Sequence, residues 1–176
     1  AGSARPAVAG GPAHGAPAAL FYLCTYAFMN TGAIAVVIAR ENMGAEDALQ
    51  TRAVGLGKTQ PRLAFVMALF MFGLSGMPPL AGYYAKLMVF ASAIRGDMAW
   101  LAVIAVAMTA VGAFYYLRVI ANMYFSDPVA ETATELNGSW TLYLGIAIAA
   151  AGTVLVGLFP GGWLNIFQQT LTLFGG

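Results

Sequence analysis

Charge is the scarcest thing in this chain: 9% of its 176 residues are Asp, Glu, Lys or Arg, against 60% that are apolar. Soluble domains carry about 25% charged residues, so water is not the solvent for most of this polypeptide. A mean hydropathy of +0.76 places most of it in a lipid bilayer. The net charge is only +1 and there is no basic stripe, which argues against nucleic acid as a partner. One cysteine, Cys24, excludes an intrachain disulfide and any multi-cysteine iron–sulfur or metal site. The lone histidine, His14, sits in a Gly/Ala/Pro-rich stretch, which argues against a haem held between helices. No cofactor or metal is therefore expected in the chain itself. The start, Ala1-Gly2-Ser3, lacks an initiator methionine and the features of a signal peptide. It reads as an opened loop, and the chain as the C-terminal part of a longer protein.

What is present is a series of apolar runs. Residues 1–18 are of low complexity and are expected to be a flexible loop. Residues 19–39, with LFYLCTYAFMNTGAIAVVIA, are long enough to cross a hydrocarbon core of about 30 Å. A polar loop follows over 40–62, with Arg40, Glu41, Glu46, Asp47, Arg52, Lys58 and Arg62. Further spans are expected at 63–94, 98–125 and 140–159, with an acidic loop at 126–138. Residues 160–176 form an amphipathic tail suited to the interface. The fold class is thus all-α integral membrane, with four transmembrane helices. Basic residues concentrate in the 40–62 loop, which puts that loop in the cytoplasm and the C-terminus outside.

The second span is too long. A continuous helix over 63–94 would reach about 48 Å at 1.5 Å per residue, beyond what ordinary tilt absorbs. Its middle reads Ser75-Gly76-Met77-Pro78-Pro79-Leu80-Ala81-Gly82. Two prolines remove two backbone donors and push Met77 out of the helical region. Gly76 and Gly82 let the chain turn on either side. A helix broken at Pro78-Pro79, with halves over 63–75 and 83–94, satisfies both length and chemistry. Lipid cannot pair the freed carbonyls, so the break belongs against protein or a hydrated cavity. Such breaks recur at ion sites in transporters.

Lys86 follows the break, within YYAKLMVFASAI. It lies about 12 Å of helix from Ile94, further than a lysine stem comfortably snorkels. Inserting a charged lysine at that depth costs about 2.5–3.5 kcal/mol, so a functional reason is sought. A lysine shielded from water can take up and release a proton within the working pH range. Tyr83, one turn earlier on the same face, is positioned to support it. The alternative is a structural lysine that snorkels or caps a backbone carbonyl. Thr25, Asn30 and Thr31 read as hydrogen-bonding glue between helices. Tyr115 and Tyr116 read as interface residues and Arg118 as an anchor, with a hydrated groove as the alternative for either. Cys24 reads as a small buried apolar residue.

Together, LFYLCTYAFMNTGAIAVVIA, GLGKTQPRLAFVMALFMFGLSGMPPLAGYYAKLMVF and FYYLRVIANMYF resemble the subunit N family of bacterial NADH–quinone oxidoreductases (respiratory complex I). The resemblance covers about residues 19–159. It implies the last four helices of a fourteen-helix antiporter-like fold in the bacterial inner membrane, built of two inverted repeats. It implies a role for Lys86 as a proton relay on the discontinuous helix of the second half-channel. NADH, FMN, iron–sulfur clusters and quinone would then belong to other subunits, and the partners would be other membrane subunits of the complex and the lipid. The helices carrying the first half-channel's charged residues have no counterpart here. A multi-subunit sodium/proton antiporter and a non-pumping membrane scaffold are the competing readings.

Overall fold

The computed structural model describes residues 12–41, 54–127, 139–163 and 166. The elements are α1 (Pro12–Glu41), α2 (Leu56–Thr59), α3 (Pro61–Ser75), α4 (Ala81–Arg95), α5 (Ala99–Phe125) and α6 (Trp140–Leu158). Among the described residues there is no strand. Among the described residues, three stretches are apolar and long enough to cross a membrane: Pro17–Ala39, Ala99–Phe125 and Trp140–Leu158. By contrast, α3 and α4 have 15 residues each, about 22 Å of helix, and neither alone spans a hydrocarbon core.

The paired short helices occupy the middle of the bundle. Both α1 and α6 pack against each of them and against one another, while α5 packs against α2, α3 and α4. The main core joins Met29, Val36, Leu63, Met67, Phe70 and Met71 with Met123 and Ile146. A smaller cluster of Phe21, Ala81, Ala85 and Val156 lies below it, where α4 meets α1 and α6. Large apolar side chains on α5, including Trp100, Val103 and Phe114, stay exposed, as a lipid-facing or helix-facing surface requires.

Some boundaries differ from expectation. Helix α1 begins at Pro12, inside the segment expected to be a flexible loop. Proline suits a first turn because its missing N–H has no intrahelical partner there, and the alanines that follow favour helix. Residues 1–11 lie outside the described residues, as do 42–53, most of the acidic loop and most of the tail. Part of the expected polar loop is also ordered. Leu56 is fully buried, the Gly55 N–H donates to the Asn122 carbonyl at 3.2 Å, and Lys58 donates to Asp127 at 2.6 Å. These contacts put the residues before α3 and those after α5 on one side of the bundle.

The two short helices nearly touch end to end. A Cβ on Gly82 would collide with the backbone carbonyl of Gly73, and one on Gly157 would lie 2.5 Å from the Pro79 carbonyl oxygen. The linker is therefore pressed onto α6 by glycine notches. Gly82→Ala should lower stability by about 1–3 kcal/mol, because the obstacle is backbone and has little room to yield. Gly145→Ala, which meets open space, should be neutral or stabilising. Thermal unfolding of the two variants in lipid nanodiscs checks the difference.

The Lys58–Asp127 pair carries a pH signature. The hydrogen bond from Lys58 holds the Asp127 carboxyl below the usual carboxylate range. A depressed folded value means that the contribution is complete above the ordinary carboxylate pKa of about 3.9 and is lost as pH falls through the lowered one. Hydrogen exchange at the Gly55 amide should therefore accelerate only on acidification below that range, and modestly, because the pair is exposed.

Candidate functional site

The end of α3 creates the problem that the site solves. The last four carbonyls of any helix lack intrahelical partners, and here they belong to Phe72, Gly73, Leu74 and Ser75. Gly76 adopts a left-handed conformation, φ 89°, open to glycine without a Cβ penalty. That turn lets the Met77 N–H donate to Phe72 and the Gly76 N–H donate to Gly73, both at 3.1 Å, the paired bonds of a Schellman ending. The Ser75 hydroxyl adds a bond to Phe72 at 2.7 Å. Leu74 and Ser75 remain.

Lys86 takes both. Its Nζ donates to the Leu74 carbonyl at 2.8 Å and to the Ser75 carbonyl at 3.1 Å. The reach follows from helix geometry: side chains lean towards the N-terminus of their own helix. A lysine in the second turn of α4 therefore points back across the break onto the end of α3. The ammonium lies at the negative end of one half-helix dipole, and the N-terminus of α4 faces the same gap. These two bonds have the form of a carbonyl cap, the alternative that the sequence leaves open beside a proton relay. The side chain is only partly buried, however, and it also lines a cavity.

That cavity has a volume of about 370 Å³ and is bounded by α1, α3, α4 and α5. Tyr22 and Tyr26 enter it from α1, Val89 and Phe90 from α4, and Thr109 and Tyr116 from α5. Tyr22 and Tyr26 stack with centroids 5.9 Å apart, and Tyr116 shares the cavity wall with them from α5. The Thr109 hydroxyl is turned back onto the Ala105 carbonyl at 2.8 Å. A second cavity of about 180 Å³ lies beside it, lined by Met67, Met71, Tyr115, Tyr116, Arg118, Val119 and Asn122. Tyr116 borders both.

Of the residues singled out in the sequence, Gly76, Gly82 and Lys86 converge on the break. Pro78 and Pro79 form its exposed outer turn, joined by a cis bond. Tyr83 goes elsewhere: it packs edge-to-face on Tyr84 at 5.3 Å and is not in the wall of the Lys86 cavity. Thr25 is buried, and Cys24 is exposed rather than buried, because it faces an open groove between α1 and α6. Tyr22 and Tyr26 are not among the residues singled out in the sequence, and Tyr116 lies on a cavity, the alternative to an interface position. The available signal was the i, i+4 spacing of Tyr22 and Tyr26, which puts both rings on one face of α1.

Two substitutions separate the parts of this geometry. Gly76→Ala forces a Cβ into a left-handed residue and to 3.1 Å from the Lys86 stem, and should destabilise by about 1–3 kcal/mol. Lys86→Met keeps the stem but strands two carbonyls, with a similar loss of about 1–3 kcal/mol. Combining them should cost less than their sum if both act on the same helix end. Thermal unfolding in nanodiscs reads the coupling.

Comparison with known proteins gives one consistent picture. The family model for the transmembrane part of NADH:quinone oxidoreductases and Mrp antiporters matches residues 7–112. The NADH-quinone oxidoreductase subunit N of Chloroflexus aggregans is 41% identical over 94% of this chain and 34% of its own length. That of Trichlorobacter lovleyi is 39% identical, again over 94% of this chain and 34% of its own. The chain thus spans about a third of the length of the curated relatives it matches. Among solved structures, a chain of respiratory complex I from Thermus thermophilus, with bound aureothin, superposes with a TM-score of 0.71 at 28% identity, over 85% of this chain and 34% of that one. A chain of the Mrp complex from Dietzia superposes with a TM-score of 0.75 over 89% of this chain and 37% of that one. Its 18% identity makes it evidence of a shared fold alone.

Proposed function

The chain belongs to the NADH:quinone oxidoreductase/Mrp antiporter transmembrane family, and on that premise we propose that it is part of a proton-translocating membrane subunit of NADH–quinone oxidoreductase. Within that subunit it contributes one half-channel, and Lys86 is the proton carrier. The observation that supports this most is the placement of Lys86, which bridges a broken helix on one side and faces a roomy, tyrosine-lined cavity on the other. A purely structural cap has no need of the cavity. The relatives named subunit N favour this reading over a sodium/proton antiporter subunit, for which the Mrp likeness supports the fold only.

On this reading α3 and α4 together form one broken span, so the chain has four. It corresponds to the C-terminal part of the subunit, in a bacterial inner membrane. The 40–62 loop faces the cytoplasm and the C-terminus faces outward, following the basic residues. Electron transfer from NADH through FMN and iron–sulfur clusters to quinone takes place in other subunits. This chain responds to that chemistry through its protein partners.

Lys86→Ala and Lys86→Arg in the full-length subunit, assayed as purified complex in liposomes, test the assignment. Arginine keeps a cation on the Leu74 and Ser75 carbonyls but holds its proton at any working pH. Both variants should lose proton pumping by more than about tenfold, as expected when a positioned proton-transfer group is removed. Quinone reduction should fall with it, because the two are coupled. If Lys86→Arg assembles and pumps normally, the lysine is a structural cation and the scaffold reading gains.

A further inference from the structure

The reading of Lys86 as a proton carrier leaves open where its proton goes, and the two cavities bear on this. One holds Lys86, Tyr22, Tyr26 and Tyr116; the other holds Tyr116, Arg118 and Asn122. Tyr116 is the wall they share. Tyr26, from α1, lines the first cavity together with it. The first cavity has room for roughly ten waters at about 30 Å³ each, so no direct lysine–tyrosine contact is required. The second leads towards Asn122, whose carbonyl accepts the Gly55 N–H, on the side where Lys58 meets Asp127.

We propose that Tyr116, paired with Tyr26, is the positioning gate through which Lys86 exchanges protons with the Arg118–Asn122 cleft and the bundle face beyond it. This rests on the assignment of Lys86 above. In the release step, towards the face that carries the 40–62 loop, the Lys86 ammonium gives one proton to cavity water and becomes a neutral amine. That water protonates the Tyr26 hydroxyl oxygen as the Tyr26 O–H proton passes to Tyr116. Tyr116 in turn releases its own proton to water in the Arg118 cleft. Both tyrosines end neutral, and one proton has crossed. Rotation of the two hydroxyls resets the pair. Arg118 biases the direction, since a fixed cation repels an excess proton and speeds its departure from the cleft. The titratable groups in the walls of the two cavities besides the pair are Lys86 from α4, Tyr22 from α1, and Tyr115 and Arg118 from α5. The wall contributed by α3 is Leu74, Met67 and Met71, which carry no titratable side chain.

Tyr116→Phe and Tyr26→Phe test it in the assembled complex, because each keeps the ring and removes only the hydroxyl. Pumping should fall roughly tenfold in either variant, less than the ~10²–10⁴ of a positioned acid or base because cavity water partly substitutes. The double variant should be no worse than the singles, since one relay is cut in all three. The solvent deuterium isotope effect and the pH profile of pumping should change, while thermal stability does not. A merely structural role would show the reverse. Tyr124→Phe, on the same helix but outside both cavities, should pump normally. If the Tyr116 variant does not assemble, Tyr26→Phe cuts the same relay from the other helix and decides alone. Wild-type pumping, isotope effect and pH profile in Tyr26→Phe and Tyr116→Phe, alongside a deficient Lys86→Arg, overturn the gate but spare the carrier. A silent Lys86→Arg overturns both.

Discussion

In a hydrocarbon solvent every peptide carbonyl must find a donor inside the protein, and the end of α3 is where this chain meets that demand. An unpaired backbone group there costs several kcal/mol. A lysine at membrane depth carries its own cost of about 2.5–3.5 kcal/mol. Each penalty offsets the other when the ammonium of Lys86 donates to Leu74 and Ser75. The remaining carbonyls of the last turn are closed by the left-handed turn at Gly76 and by the Ser75 hydroxyl. The break is thus a complete hydrogen-bonded unit, in which the one mobile partner is a side chain.

The surrounding packing serves to hold this unit in place. Gly82 lets α4 approach the Gly73 carbonyl, and Gly157 lets α6 close over the linker. Phe21, Ala81, Ala85 and Val156 fill the space beneath. On the other flank the fit is looser: α5 buries little of its surface, and the gap between it and α1 becomes the cavity. One side of Lys86 is therefore packed and carbonyl-rich, and the other opens on a largely apolar cavity whose wall includes Tyr22, Tyr26 and Tyr116. A cation between two such surroundings has two places to be, and that is the physical basis for reading it as a carrier within this family.

Much of this was legible in the residues. The excess length of 63–94, the Pro78-Pro79 pair and the flanking glycines point to an interruption between 75 and 83, since length and proline chemistry are local properties; α3 ends at Ser75 and α4 starts at Ala81. Lys86 stood out because charge at that depth is expensive wherever the helix packs. Its partners were not legible, because a side chain that reaches back over a break depends on how two half-helices meet. The tyrosine trio was hidden for a similar reason: Tyr22 and Tyr26 lie some 90 residues before Tyr116, and only tertiary packing brings them to one cavity. Tyr83 shared a helical face with Lys86 on paper, but the lysine stem turns towards α3 and leaves it behind. The early start of α1 and the burial of Leu56 were missed because composition weighs polar and small residues without seeing what they pack against.

As a proton carrier, Lys86 would hold the end of α3 when charged and let go when neutral. Solid-state NMR on the full-length subunit in bilayers reads this directly, with ¹⁵N at lysine Nζ, ¹³C at leucine carbonyls, and Lys86→Arg as the assignment control. The account predicts a strong dipolar coupling between Lys86 and the Leu74 carbonyl at the pH where the amine is protonated, consistent with the 2.8 Å hydrogen bond. It also predicts loss of that coupling when the amine is neutral. A coupling unchanged between the two states would mean a fixed structural cap and would contradict the carrier role.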